Sequence, residues 1–469
     1  MTPRPPAYAA RAMAATSQPL ATRAALKMLE AGGNAADAAL AAAAMLCVTE
    51  PMGTGLGGDA FALVWRDGEV AGLDAAGPAP ASADPEQEPE LVGPRAVTVP
   101  GAVGGWGALS ERYGRLGLDT CLAPAIDAAE RGFAVGARAA GEWVDPPEGF
   151  APAPRAGDTF RQAQLAASLR AVAAGGPARL YTGEIGEAIA AASWLEPDDL
   201  AAYAPRWVAP LRGAYRGVEV LEMPPPTQGV AALEGLALLE RLGDPTPANR
   251  ATAARLALED ALQYVRDGAD VSHLLASEHL ERRLAAAPAH VREPPGGTVY
   301  LCVVDSDRMA VSFIQSLFMG FGAGVVAPGT GIVLHNRGAG FAVPGEVVPG
   351  ARPYHTLIPG LLARHGALLG PFGIMGGFIQ AQAHLQFVSA VVDDGADPQA
   401  ALDQPRFRVD GDRLLVEPGL EAAAFAPAGL DVCTERDLRQ FGGGQAILVA
   451  GDALVGGSDS RKDGIALGF

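Results

Sequence analysis

The segment PPGGTVYLCVVDSDRMAVSFIQSLF, from Pro294 to Phe318, limits the possible folds more tightly than any other part of this chain. Pro294, Pro295, Gly296 and Gly297 form a break that ends any preceding helix. Directly after it, Val299, Leu301 and Val303 alternate with Tyr300, Cys302 and Val304. Both sets are apolar, which predicts a strand buried on both faces. Asp305-Ser-Asp-Arg308 reads as a turn, and residues 309–316 as a second strand, so the two make a hairpin.

The strand begins with a hydroxyl residue, Thr298. If the chain cuts itself between Gly297 and Thr298, one residue becomes both nucleophile and base. The hydroxyl attacks, and the new α-amine takes the proton. Such an amine has a pKa of about 7.7–8.0, close to working pH. On local pattern alone, an ordinary threonine at the start of a buried strand explains the segment better. The rest of the chain reverses that preference.

Upstream, Ala21, Ala25, Met28 and Leu29 recur at helical spacing, and Gly32-Gly33 stop the helix. Asn34 predicts the cap of a second helix, with Asp37 in its first turn, running to about Val48. Gly53-Thr-Gly-Leu-Gly-Gly58 matches a dinucleotide fingerprint in letters only, because a helix precedes it and a strand at residues 60–65 follows. A close-packed turn where side chains do not fit is the preferred reading. Residues 66–100 read as loop, 97–106 as a strand running into a glycine turn, and 107–204 as mostly helical. Residues 215–222 read as a strand, 230–290 as helical, and 377–392 as a helix. Helices first and strands last suggest an α+β layered domain.

Bulk properties exclude several functions. The net charge of -18 argues against nucleic acid and anionic membrane surfaces. Cys47, Cys121, Cys302 and Cys433 lie far apart, and the histidines form no metal pattern, so neither a disulfide framework nor a metal or other cofactor is implied. The apolar stretch 35–48 is too short to span a bilayer, and the first residues lack the apolar core of a signal peptide. A cytoplasmic protein is expected, or one whose export signal is absent from this chain.

Taken together, several segments resemble the γ-glutamyltransferase family of N-terminal-nucleophile (Ntn) hydrolases. They are Glu30-Ala-Gly-Gly-Asn-Ala-Ala-Asp37, Glu50-Pro-Met-Gly-Thr-Gly-Leu-Gly-Gly58, Val99-Pro-Gly-Ala-Val-Gly-Gly-Trp106, residues 298–305, GVVAPGTG at 324–331, and Met375-Gly-Gly377. They occur in the family's order across almost the whole chain. The resemblance implies a four-layer αββα sandwich, made as one precursor that cuts itself at the threonine. Fragments 1–297 and 298–469 would then stay in one domain, with a dimer of such pairs among the family's assemblies. Thr298 takes the nucleophile position, Gly376 and Gly377 match the oxyanion-hole glycines, and Ser316 matches a hydroxyl residue that supports the nucleophile.

The departures from the family bear on substrate. By resemblance, γ-glutamyl enzymes hold the glutamate carboxylate with an arginine at the position of Ala76. They hold the amine with an acidic pair at Ala339 and Gly340, helped by an asparagine where Phe318 stands. His355-Thr356 replace a serine pair. Losing such charged partners from a recognition site typically costs a few kcal/mol each, so γ-glutamyl compounds are expected to be poor substrates. Gln315-Ser-Leu-Phe318, Arg337-Gly338 and Arg352-Pro-Tyr-His-Thr-Leu-Ile-Pro359 instead resemble a subgroup similar to oxamate amidohydrolase and glutaryl-cephalosporin acylase. That subgroup implies a small amide of a carboxylic or dicarboxylic acid as substrate. Arg337 and His355 are then the expected carboxylate holders, with Thr356, Tyr354, Phe318 and Phe321 around them. Gly297 stands where the subgroup has an acidic residue; it either eases a strained peptide into position or, if the acidic residue assists the cut, slows processing, and both readings stay open here.

Three other readings stay open at this point. One is a relative that cleaves a carbon–carbon bond in a biosynthetic pathway. Another is a γ-glutamyl hydrolase or transferase after all. The third is an uncleaved, non-catalytic homologue.

Overall fold

A computed structural model describes residues 4–285, 297–343 and 345–469. Pro294, Pro295 and Gly296 of the sequence break, and the end of the 230–290 helical stretch, lie outside the described residues. The strand Gly297–Val304, called the nucleophile strand below after the role expected of Thr298, pairs antiparallel with the return strand Ala310–Phe318. This hairpin is central in a seven-stranded antiparallel sheet. Its order is Ile465–Gly468, Met13–Thr16, nucleophile strand, return strand, Asp59–Arg66, Glu69–Ala75 and Arg206–Val208. A second seven-stranded antiparallel sheet packs on it. Its order is Ala7–Ala9, Ala453–Ser458, Gly443–Ala450, Ala367–Met375, Gly360–Arg364, Val218–Glu222 and Leu211–Tyr215.

The alternation of the nucleophile strand explains the layers. Tyr300 and Cys302 point between the sheets, where they meet Phe61, Ile314, Leu221, Leu361 and Ile447. Leu301 and Val303 point the other way, against helices carrying Leu40, Leu46 and Trp106. The second sheet buries Val220, Leu362 and Ile374 against helices carrying Leu233, Leu236 and Val388. The result is the αββα sandwich expected from the sequence.

The first two helices form where the sequence places them, at Pro19–Glu30 and Ala35–Thr49. Asn34 Oδ1 accepts from the Ala36 and Asp37 N–H groups, and Asp37 accepts from the Asn34 N–H, a reciprocal cap. The turn after the second helix leads into the strand Asp59–Arg66, opposite in order to a dinucleotide site. It is packed too closely for side chains. A Cβ on Gly57 would lie 2.2 Å from the Val333 carbonyl oxygen, and one on Gly58 2.5 Å from that of Ser316. The same turn clamps the return strand, whose Leu317 N–H donates to the Gly53 carbonyl at 3.0 Å.

Three local expectations need correction. Residues 66–100 are not all loop, because Glu69–Ala75 is a strand in register with Asp59–Arg66. Its Gly72 and Asp74 weaken the local β signal. Yet Gly72 fits because a Cβ would crowd Met223 Sδ at 3.0 Å, and Arg352 contacts Asp74 at 3.5 Å. The 97–106 segment does not run as a strand into a turn, since Ala102–Tyr113 is a helix. Gly105 belongs to it because a Cβ there would meet that of Ala75 at 2.5 Å. The 215–222 strand is one arm of the hairpin Leu211–Tyr215 and Val218–Glu222, turned by Arg216 and Gly217 at positive φ.

Both sheets take strands from both sides of the Gly297–Thr298 bond. Protein cut at that bond is therefore expected to elute as one species under native conditions. Its two pieces should separate only in denaturant, as size-exclusion chromatography with and without guanidinium would read.

Candidate active site

The pairing of the hairpin is interrupted at its open end. Gly297 faces Phe318, but Val299 faces Gln315, so the return strand carries one extra residue. This bulge brings Ser316 beside Thr298. Ser316 Oγ donates to the Gly297 carbonyl oxygen at 2.6 Å and accepts from the Phe318 N–H at 2.7 Å. Thr298 Oγ1 lies 2.6 Å from that same carbonyl oxygen and 3.2 Å from Ser316 Oγ. Thr298 is 6% exposed and Ser316 is buried. The Gly297 carbonyl oxygen thus has two hydroxyls on it, one of them the next residue's own.

Thr298 opens onto a cavity of about 340 Å³. Gly297, Gly376, Met375, Gly53 and Met319 share its wall. Gly376 and Gly377 have φ of 125° and 73°, the region that favours glycine, and a Cβ on Gly376 would sit 2.9 Å from Gly442 Cα. Charged groups absent from the sequence expectation also line the cavity: Glu50, Glu142, Arg408, Asp437, Arg439 and Lys462. Burial raises the Glu50 carboxyl to about 7, against the opposing charge of Lys462, and Ser17 donates to it at 2.9 Å. Glu50 lies in a segment that carries the family resemblance, but charge at scattered positions such as 142, 408 and 462 has no sequence signature.

The expected carboxylate holders sit elsewhere. Arg337 and His355 are both 0% exposed, and neither is among the described residues lining the cavity. The Arg337 guanidinium lies 4.1 Å over the Phe318 ring, and its Nη1 donates to Thr356 Oγ1 at 3.4 Å. His355 Nε2 and His335 Nδ1 each lie 3.2 Å from Asp59 Oδ2. Burial alone would raise the Asp59 carboxyl, but the two histidines more than offset that and hold it well below the usual range. Burial, helped by the charge of Arg337, pushes His355 down to about 3, so its ring is neutral. Asp59 Oδ1 accepts from the Gly77 and Gly101 N–H groups. Tyr354 stacks on Phe378 and donates to Gln228 Oε1 at 3.2 Å. Phe321 packs among Trp143 and Phe150. Arg337 is linked to the Thr298 site through Phe318, whose N–H donates to Ser316 Oγ.

A profile described as gamma-glutamyltranspeptidase matches residues 21–469. The chain belongs to the gamma-glutamyltranspeptidase family. It is 33% identical to an oxamate amidohydrolase proenzyme of Klebsiella pneumoniae, over 97% of this chain and 98% of that protein. It is 32% identical to a glutathione hydrolase-like proenzyme of Bacillus subtilis, over 96% and 97% of the two chains. The crystal structure of a cephalosporin acylase from Bacillus halodurans superposes with a TM-score of 0.93 at 40% identity, covering 100% of this chain and 98% of that one. This gamma-glutamyltranspeptidase-family chain is thus an enzyme of the Ntn-hydrolase class. Among the described residues, no helix is long and apolar enough to cross a membrane.

Two positions that depart from the γ-glutamyl pattern, Ala76 and Gly340, are structurally closed. Ala76 is buried, and its carbonyl accepts from Arg352 Nε at 2.8 Å. A Cβ on Gly340 would lie 2.5 Å from the Tyr354 carbonyl oxygen, so no acidic side chain fits there without a shift.

Gly297 does not use its conformational freedom. Its φ is not positive, and an added Cβ would meet nothing nearer than the Gly320 nitrogen at 3.5 Å. The unusual backbone belongs to Phe318, with φ of 77°. Gly297→Ala is therefore expected to leave the rate of any self-cleavage within about tenfold, or about 1.4 kcal/mol. A time course of intact mass would read it.

Proposed function

We propose that this enzyme is a self-processing amidohydrolase or acylase with an N-terminal threonine nucleophile. The contact set Thr298–Gly297–Ser316 supports this reading most directly. In the uncut chain, Ser316 polarises the Gly297 carbonyl by donating to its oxygen. Thr298 Oγ1 then adds to the carbonyl carbon, its proton passes to the Thr298 nitrogen as the C–N bond breaks, and an ester forms between Gly297 and the threonine hydroxyl. Water hydrolyses that ester. The products are a Gly297 carboxylate and a free Thr298 α-amine.

The same atoms then serve an external amide. The α-amine takes the hydroxyl proton as Oγ1 attacks the substrate carbonyl. Backbone N–H groups at Gly376 and Gly377 stabilise the oxyanion, and the proton passes to the departing amine. Water resolves the acyl-enzyme, with transfer to a second amine as a side reaction. No cofactor is required.

The substrate class follows from the closed positions. Ala76, Gly340 and Phe318 offer no ion pair to an α-amino acid, so γ-glutamyl compounds are poor substrates in this reading. A cavity of about 340 Å³ suits a small acyl group, and the acylase and amidohydrolase relatives agree with an amide of a short carboxylic or dicarboxylic acid. Arg337 and His355 act as positioning groups that set Phe318, and through it Ser316.

Thr298→Ala is expected to abolish both cutting and amide hydrolysis, leaving one full-length mass and at least about a thousandfold less activity. Ser316→Ala keeps the nucleophile but removes the donor to the scissile carbonyl, so cutting should slow by about a hundredfold or more. Hydrolysis by the Thr298→Ala chain would contradict the mechanism. The pH dependence has a definite sign. The α-amine works only unprotonated, so kcat/KM should fall as pH drops below about 7.7–8.0. Initial rates across pH 5.5–9.5 check this.

A further inference from the structure

The turn Pro224-Pro-Pro-Thr-Gln-Gly229 joins the strand Val218–Glu222 to the helix Gly229–Leu242 and has no part in the chemistry described so far. Two backbone bonds pin it to the segment after Tyr354. The Gln228 N–H donates to the His355 carbonyl at 3.0 Å, and the His355 N–H donates to that of Pro226 at 2.8 Å. The Gln228 side chain is buried, and both ends of its amide are engaged. Nε2 donates to the Thr356 carbonyl at 3.0 Å and to the Gly377 carbonyl at 3.3 Å, while Oε1 accepts from the Tyr354 hydroxyl at 3.2 Å. A flipped amide would set its oxygen against two carbonyl oxygens, so the network fixes which end faces Gly377. The Gly377 carbonyl accepts a second bond, from the Gln380 N–H at 3.2 Å. The ring of the next residue, Phe378, stacks on that of Tyr354 with centroids 5.7 Å apart.

Gly377 has φ of 73°, and glycine moves between several backbone conformations at little cost. A donor N–H helps a developing oxyanion only if it is already aimed when the charge appears. With the Gly377 carbonyl held by Gln228 and Gln380, and the following ring held by Tyr354, rotation at Gly377 is restricted, and so is the direction of its N–H. Resting on the amide-hydrolysis reading above, we propose that Gln228, oriented by Tyr354, is a positioning residue for the oxyanion donors at Gly376 and Gly377. It touches no reacting atom and acts through the Gly377 backbone. Self-cutting in that reading draws on a different donor, the Ser316 hydroxyl on the Gly297 carbonyl. The two reactions of Thr298 therefore depend on Gln228 unequally: turnover of an external amide needs it, and cutting does not.

The test follows both reactions in two variants. Gln228→Met keeps the length of the side chain and removes its amide, and Tyr354→Phe keeps the ring stack and removes the hydroxyl. Cutting is read as a time course of intact mass. Turnover is read on self-cut protein with acetyl 4-nitroanilide and glutaryl 4-nitroanilide. In Gln228→Met, cutting and KM are each expected to stay within about threefold of wild type, while kcat falls by about tenfold or more. Tyr354→Phe should show the same pattern with a smaller loss, about fivefold in kcat; it is the deciding variant if Gln228→Met fails to mature. A wild-type kcat in the deciding variant overturns the proposal. So does a loss that falls equally on cutting and turnover or on KM alone, as general loosening of the fold would give, and so does failure of both variants to cut. A wild type that stays uncut, or that hydrolyses neither anilide once cut, overturns the amide reading itself, and this inference with it.

Discussion

The hydrogen bond from Ser316 to the Gly297 carbonyl is the contact on which the site depends. It exists because the return strand carries one residue more than the nucleophile strand at this end. In regular pairing, neighbouring side chains would alternate across the sheet and no hydroxyl would turn toward the carbonyl. The bulge has a conformational cost, visible as the left-handed φ of Phe318. That cost is borne by contacts on both sides of Phe318. Its N–H is held by Ser316 Oγ, its ring lies under Arg337, and the Met319 N–H donates to Asn336 Oδ1.

A buried charge layer stands behind that arrangement. Arg337 and Asp59 are ionised groups without solvent exposure, a costly choice for a core. The cost is reduced locally. Asp59 accepts two backbone N–H groups and faces two histidines, while Arg337 faces an aromatic ring and a threonine hydroxyl. Removing one member of such a group leaves the other charge uncompensated, which typically costs about 3–5 kcal/mol. The Arg337 guanidinium over the Phe318 ring ties this charged layer to the residue whose N–H donates to Ser316 Oγ.

The features legible in the sequence are those set by local spacing or by backbone geometry. The two-faced hairpin, the Asn34 cap and the close-packed turn at Gly53 and Gly57 all follow from adjacent residues, and all form as expected. The layered architecture follows from the hairpin, because a strand apolar on both faces requires layers on both sides. The misread segments are those where tertiary contact overrides local preference. The strand Glu69–Ala75 exists because Asp59–Arg66 offers it an edge, and the helix keeps Gly104 and Gly105 because a Cβ would crowd Tyr203 and Tyr181 at the first and Ala75 at the second. The cavity cations were illegible for a related reason. Arg408, Arg439 and Lys462 come from separate elements, and only the folded sheets bring them to one wall. Arg337 illustrates the converse. Its side chain is buried over the Phe318 ring and is not among the described residues lining the cavity.

The location of Thr298 also sets when chemistry can begin. The bulge needs the return strand held by Asp59–Arg66 on one side and by the Gly53 turn at its end, both from the part of the chain before the scissile bond. The nucleophile strand needs Met13–Thr16 at its other edge, and the cavity wall needs Gly376 and Gly442 from beyond it. In an unfolded chain, Thr298 is an ordinary threonine beside an ordinary peptide bond, and nothing orients its hydroxyl or polarises the carbonyl. The geometry for the proposed cutting is therefore a product of the complete fold. A chain that relied on this geometry could not expose a free nucleophile before its two sheets had closed on each other, and a cut at Gly297–Thr298 would then remove one peptide bond from an interlocked set of strands without unpairing them.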